Sequence, residues 1–491
     1  MTHRPRFMPI LLVLLATLAL VQLSLALVSS TPSYEFYDPL IDVHRLLVDH
    51  HIEEPDERVM QEAAINAMVE SLDDPYSAFI PTREIDNFTK ELEGDYAGIG
   101  AEVRITEGEL MVVTPMDDSP ALHAGILAGD VIEMIDGITA TDASINVLVG
   151  RLTGPVGSDV DLHVRHANGE EDDITVTRGH ILSPTVSGLV RRNQIWSWCL
   201  DDELGIAYIR ISKFTSGTTS ELQLALEQLK RGNLVNGLVL DLRDNPGGAL
   251  DAAISVVDMF LGQGPIVSVT GRSKPHRNAS ATPTMLFDDV PILVMINGNS
   301  ASASEIVAGA LQGNDRAAVL GTRSYGKGSV QEVQEIEGGL LKLTVARYDL
   351  PGGRTIDRKL TDDMELWGVD PNDGLVVKES IEDHLARFRT SEPYRVITNN
   401  EPVDSRCGDV QWIESTLGDN QLAQALLAIR GKLEDGLWPT LSDDDPLVAS
   451  IRDELVKLSE AREFHLEAIE VINTRVAGLQ GIVEEEETPE D

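Results

Sequence analysis

The chain has 491 residues, is 42% hydrophobic and carries a formal net charge of −42. That length holds about two to four domains, and the apolar content excludes a disordered polymer. The acidity argues against a nucleic-acid binder, because phosphate backbones are held by basic patches.

Residues 7–28 carry no charge and follow Arg4 and Arg6. A signal-peptide core runs about 7–15 residues and a spanning helix needs about 20. The length therefore favours an uncleaved anchor in the cytoplasmic membrane, while Ser24-Leu25-Ala26 keeps a cleaved signal open. Either way the basic flank stays inside, and the rest is expected on the periplasmic side. Residues 38–72 read as two helices broken near Pro55, with Leu40, Val43, Leu46, Leu47, Val59, Ala63, Met68 and Val69 at helical spacing. They are expected to pack on the core.

From about 96 to 178 the texture changes to short strands and glycine turns, with helices at 121–126 and 144–152 and an Asn168-Gly169 hairpin signal. The size and order resemble a PDZ module of the bacterial arrangement. That resemblance implies that Gly98, Ile99 and Gly100 offer backbone N–H groups to the C-terminal carboxylate of a protein substrate, whose tail adds a strand to the sheet edge. Between 205 and 345 strands and helices alternate, which predicts sheet layers covered by helices. Beyond Gly374 the chain is polar and helical. Ile451, Leu455, Leu458, Ile469, Ile472, Val476, Leu479 and Val483 form a seam that Arg462 and His465 interrupt. The seam leaves room for a homodimer through a coiled coil, but its interruption favours a helix packed on its own domain. Residues 484–491 are an acidic tail.

Cys199 and Cys407 fall in no metal-ligand spacing, and the sequence has no His-Glu-x-x-His run, so no metal and no cofactor are expected. Two unrelated buried thiols are the simpler expectation, with a disulfide open in an oxidising compartment.

The chemistry concentrates in three segments. Asn299-Ser300-Ala301-Ser302-Ala303-Ser304-Glu305 follows the apolar strand 291–296 and opens a helix, which sets a hydroxyl beside free backbone N–H groups. Tyr325-Gly326-Lys327-Gly328 presents an amine without bulky neighbours, and a hydroxyl with a neutral amine is a nucleophile with a base. The spacing of Gly321 to Gly326-Lys327 also suggests a phosphate loop, but Gly328 stands where Ser or Thr is needed and strands follow instead of a helix. Asn245-Pro246-Gly247-Gly248 ends a third strand in a turn whose backbone is open to a ligand.

This ordered set, with Leu72-Asp73-Asp74-Pro75-Tyr76-Ser77 before it and Gly368-Val369-Asp370-Pro371 after it, resembles the C-terminal processing peptidases, or tail-specific proteases. The resemblance implies a mixed α/β fold: a ClpP/crotonase-like protease core with an inserted PDZ domain and a helical C-terminal region. The implied divisions are an anchor or signal at 1–30, a helical region at 31–94, the PDZ domain at 95–179, the core at 180–377, the helical region at 378–483 and the tail. It also implies Ser302 as nucleophile rather than Ser300 or Ser304, and Lys327 as general base. A free lysine titrates near 10.4, so burial must favour the neutral amine. Gln331 is implied to orient that amine, since residues 327, 329 and 331 would share a face if they form a strand. Ala303 and one of Gly247 and Gly248 are implied to hold the oxyanion. Glu305 is expected to act structurally at the helix start. A PDZ adaptor with an inactive core and a crotonase-like acyl-CoA enzyme are the rival readings. The intact Ser302, Lys327 and Gln331 count against the first, and the PDZ insertion and export signal against the second.

Overall fold

Capping and apolar alternation set the elements of the chain. The computed structural model describes residues 34–85, 88–90, 94–141, 143–232, 235–273, 275–283, 285–358, 367–398 and 406–487. The apolar segment 7–28, the end of the acidic tail and Leu479 and Val483 of the seam, as side chains, lie outside that description. Among the described residues no helix is long and apolar enough to cross a membrane.

Two compact units result, Met1–Pro75 and Tyr76–Asp491. The first holds α1 (Asp38–His50) and α2 (Glu57–Glu70), the latter capped by the Asp56 carboxylate on the Arg58 and Val59 N–H groups. Neither helix buries a residue. Leu40, Val43 and Leu46 are exposed.

In the second unit β1 (Ala78–Pro81) comes first, followed by the PDZ-like module. The strand β2 (Asp95–Gly98) leads into β3 (Ala101–Thr106), β4 (Glu109–Pro115), the short α3 (Pro120–His123), β5 (Val131–Ile135), α4 (Ile145–Leu152), β6 (Asp159–Arg165) and β7 (Glu171–Thr177). The strands β3, β4, β5, β6 and β7 form one antiparallel sheet in that order. Ile99, Leu110, Val112, Ile132, Leu148, Leu152 and Val164 fill its core. Then β8 (Gly179–Leu182) pairs back on β2.

The central layer follows: β9 (Cys199–Asp201), β10 (Ile206–Ile211), α5 (Thr218–Arg231), β11 (Gly237–Asp241), α6 (Leu250–Phe260), β12 (Pro265–Thr270), β13 (Ile292–Ile296), α7 (Ala303–Gly313) and β14 (Ala317–Gly321). The strands β10, β11, β13 and β14 are parallel neighbours, and β9 closes antiparallel on β10. Continuous apolar runs such as Ile292-Leu293-Val294-Met295-Ile296 are what a sheet covered on both faces requires. Ile209, Leu240 and Val294 face α5, α6 and α7, whereas Tyr208, Val239 and Leu293 face the opposite side. That side is closed by α9 (Val410–Ser415) and α10 (Asn420–Asp435) through Trp412, Ile413, Leu422, Leu426 and Ile429. A second sheet pairs β15 (Ser329–Ile336) with β16 (Gly339–Leu350), and β16 also pairs with β1 and β12. The core is thus not confined to 180–377: β1 precedes it in sequence, and α9 and α10 follow.

Ahead of α9 stands α8 (Ile381–Ser391). The last element, α11 (Pro446–Glu487), buries Ala449 near its start, but Leu455, Leu458, Ile469, Ile472 and Val476 are exposed. Among the described residues the seam from Leu455 to Val476 therefore does not pack on its own domain as expected. A helix of this length extends about 60 Å, beyond the reach of one core face.

Candidate active site

The strand β13 is wholly buried and ends where α7 begins, so the intervening turn is held on a rigid layer. Ser302 has φ 55° and ψ −112°, a region a non-glycine residue occupies only under constraint. Its two neighbours are structural. The Ser300 hydroxyl donates to Leu242 O (2.8 Å) and accepts from Asn297 N (3.0 Å). The Ser304 hydroxyl donates to Asn245 O (2.9 Å), and both side chains are fully buried. Of the three serines, Ser302 alone opens into a cavity of about 500 Å³. Ala303, Gly247, Gly248, Lys327, Gln331 and Tyr348 line the same cavity.

Gly247 (φ +100°) closes one wall. A Cβ there would lie 2.8 Å from Ser302 Cβ and 3.0 Å from Ala303 N, so this position admits only glycine at that distance. The Gly247 N–H donates to the Asn245 side chain (2.9 Å), and the Ser302 N–H to Glu305 (2.7 Å). Among the described residues neither the Gly248 N–H nor the Ala303 N–H has an acceptor. Gly248 is exposed and Gly247 buried. This wall therefore carries two backbone donors that have no acceptor among the described residues.

Glu305 ties the serine turn to the lysine loop. It is fully buried, and one of its oxygens accepts from the Ser324 hydroxyl (2.6 Å) and Gly326 N (2.6 Å). The other accepts from Ser302 N and Lys327 N, at 2.7 and 2.9 Å. Burial pushes its carboxyl up to about 7, against the pull of those four donors.

Beneath the Asn-Pro-Gly-Gly turn lies a buried ion cluster. Arg243 pairs with Asp241 (2.8 Å) and with Asp419 at the start of α10 (2.8 Å), while Arg387 of α8 pairs with Asp244 (2.9 Å) and Glu379 (2.8 Å). The Arg243 and Arg210 guanidinium groups hold the Asp241 carboxyl far below the carboxylate range despite complete burial. The C-terminal helices are thus bonded directly to the turn that faces Ser302.

The family model described as "Peptidase family S41" matches residues 205–372, and that of a PDZ domain matches 97–177. A carboxy-terminal-processing protease of Bartonella bacilliformis is 35% identical over 409 residues, covering 81% of this chain and 89% of that protein. The chain belongs to peptidase family S41. It is a peptidase of the carboxy-terminal-processing type, with a PDZ domain. A CtpA-like serine protease of Staphylococcus haemolyticus is 31% identical, over 70% of this chain and 66% of that one. The solved photosystem II D1 C-terminal processing protease is 28% identical, with a TM-score of 0.40 over 69% of this chain and 86% of that one.

In this S41 peptidase the segment around Lys327 differs from expectation. Lys327 lies in a loop, since β15 begins only at Ser329 and is irregular between Val330 and Gln331. The shared strand face therefore does not form. The Gln331 amide nitrogen donates to Ser329 (2.9 Å) and Thr344 (3.2 Å), and its side chain lines the same cavity as Lys327. Two residues that sequence reasoning missed stand there. The Lys327 amine sits 4.6 Å from the centre of the Tyr76 ring. The buried Tyr348 hydroxyl donates to Lys327 O and meets the Ser302 side chain. Tyr76 belongs to the Asp-Asp-Pro-Tyr-Ser segment and was legible from it; Tyr348 carries no signal beyond strand alternation.

The PDZ groove runs between β3 and α4, a cavity of about 520 Å³. Ile99, Gly100, Val103, Val149 and Leu152 line it. Gly98 does not, being paired with Gly179 and bridged to Thr153. Cys199 and Cys407 also depart from expectation, for they are neighbours: their sulfurs and an Asp202 oxygen lie within 4.8 Å of one another.

Proposed function

We propose that this peptidase is an exported endopeptidase that hydrolyses peptide bonds by a serine–lysine mechanism and captures substrates by their C-terminal tails. The reading rests chiefly on one observation: Ser302, alone among three neighbouring serines, opens into the cavity that Lys327 shares. Lys327 Nζ, as the neutral amine, takes the Ser302 proton while Oγ attacks the carbonyl carbon of the scissile bond. The Gly248 and Ala303 N–H groups, which have no acceptor among the described residues, receive the oxyanion. Lys327 then passes the proton to the leaving amine, and water releases the acyl group by the same steps. Gln331 and the Tyr348 hydroxyl set the floor around the lysine.

Ile99 and Gly100 at the end of the PDZ groove suit a tail carboxylate, and the apolar Val103, Val149 and Leu152 suit apolar tail residues. Export and retention at the cytoplasmic membrane are supported by the uncharged segment 7–28 behind Arg4 and Arg6.

The test uses an unfolded protein substrate with an apolar C-terminus. Ser302→Ala and Lys327→Ala each abolish cleavage, whereas Ser304→Ala leaves measurable activity. Wild-type turnover by Ser302→Ala would reject the mechanism. The mass of the N-terminus after membrane extraction separates a retained anchor from a chain beginning near Leu27.

A further inference from the structure

Cys199 and Cys407 stand 208 positions apart in sequence, yet the Cys407 sulfur lies 3.4 Å from Cys199 O. The contact is built from several directions. The Cys199 thiol donates to an Asp202 carboxylate oxygen at 2.8 Å, and Arg192 Nη2 donates to the Cys407 sulfur at 2.9 Å. The backbone is already joined there: Gly408 N donates to Leu200 O (2.7 Å), and Arg430 bridges Asp201 and Gly408 O. Both thiols are half-buried, open to a small reagent.

Two chemistries suit such a cluster. A divalent cation held by two sulfurs and a carboxylate is opposed by the Arg192 guanidinium, a fixed positive charge on one of the sulfurs. The same guanidinium suits a thiolate. The adjacent Cys199 thiol and then the Arg192 charge draw the Cys407 thiol below its ordinary range, while the Cys407 contact and burial push Cys199 up. One sulfur is prepared for attack and the other is kept as the protonated resolving thiol.

We propose that Cys199 and Cys407 form a reversible disulfide, made by exchange with a small disulfide of the glutathione type, which fastens the entry of α9 to the edge of the central sheet. The Cys407 thiolate attacks one carrier sulfur, the carrier S–S bond breaks, and one carrier thiol leaves after taking up a proton. Cys199 gives its proton to Asp202 or water and attacks the Cys407 sulfur, which expels the second carrier thiol. The two protein thiols are oxidised by two electrons, and the carrier disulfide is reduced to two thiols. The inference does not depend on the peptidase mechanism, because neither cysteine lines the Ser302 cavity.

The experiment equilibrates the full-length protein with oxidised or reduced glutathione, then alkylates it under denaturing conditions. The oxidised protein loses about 2 Da and resists alkylation. Trypsin releases residues 193–210 linked to 407–430. Its Tm rises by on the order of 5 °C over the reduced form, as the bond closes a long loop. Cys199→Ser and Cys407→Ser keep the reduced protein's peptidase activity and show no such rise. Arg192→Gln slows oxidation roughly tenfold. Full alkylation at an oxidising poise, separate glutathione adducts without a link, or a stoichiometric zinc ion that alone protects the thiols would each overturn the proposal.

Discussion

Replacing Glu305 by Gln removes a charge that the fold buries completely and surrounds with four donors. Burial raises its carboxyl from the ordinary 4.5 to about 7. The folded protein therefore still holds this proton where the unfolded chain has released it. Stability from this group is present in acid and declines as pH climbs from 4.5 through 7. Between pH 5 and pH 8 the decline comes to about 2.5 kcal/mol. Glu305→Gln has nothing to titrate there, so relative to wild type it gains about 2.5 kcal/mol over that interval. A pH-independent penalty lies on top. The amide NH2 must face either the Ser324–Gly326 pair or the Ser302–Lys327 pair, stranding two buried donors at roughly 2–6 kcal/mol. Urea unfolding of both proteins at the two pH values measures each part, since other titrations cancel in the difference. An equal stability difference at pH 5 and pH 8 would refute the reasoning.

Three further outcomes follow from the geometry. Gly247→Ala brings a Cβ to 2.7 Å from Ala301 O and 2.8 Å from Ser302 Cβ, displacing the nucleophile turn. Turnover should drop on the order of 100-fold in steady-state assays, and an unchanged kcat would contradict the close approach. Arg243→Met strands Asp241 and Asp419 in the interior and should cost about 3–5 kcal/mol, read from the denaturant midpoint. Val149→Glu puts a charge into the PDZ groove and should weaken binding of an apolar tail peptide about tenfold by calorimetry, without slowing cleavage of a short peptide that bypasses the groove. Equal affinity would move the tail site elsewhere.

The layers were legible because their signals are local. The apolar run Ile292-Leu293-Val294-Met295-Ile296, the Ser302 turn and the glycines around Lys327 each announce a strand, a helix start or a close approach on their own. What stayed hidden depends on pairing across long separations. Tyr348 reaches Lys327 and Ser302 only because β16 pairs with β15 in one register, which no residue of 339–350 advertises. The strand start at Ser329 and the irregularity at Val330 and Gln331 removed the expected shared strand face for the same reason. Glu305 looked like a helix-start charge, and its four bonds became visible only once the lysine loop was placed beside it. The role of α9 and α10 was masked because their apolar faces fit a sheet laid down two hundred residues earlier.

The pairing of β1 with β16 also governs timing. Ser77 Oγ accepts from Thr344 N, 267 positions further along, and Tyr76 sits next to it under the lysine. At ordinary rates of synthesis roughly 10–50 s separate the appearance of these two partners. Until the later strand emerges, β1 has no partner and the Ser77 hydroxyl has no Thr344 N–H to accept from. Docking of β1, and with it the seating of the Tyr76 ring on Lys327, therefore waits for the last part of the second sheet.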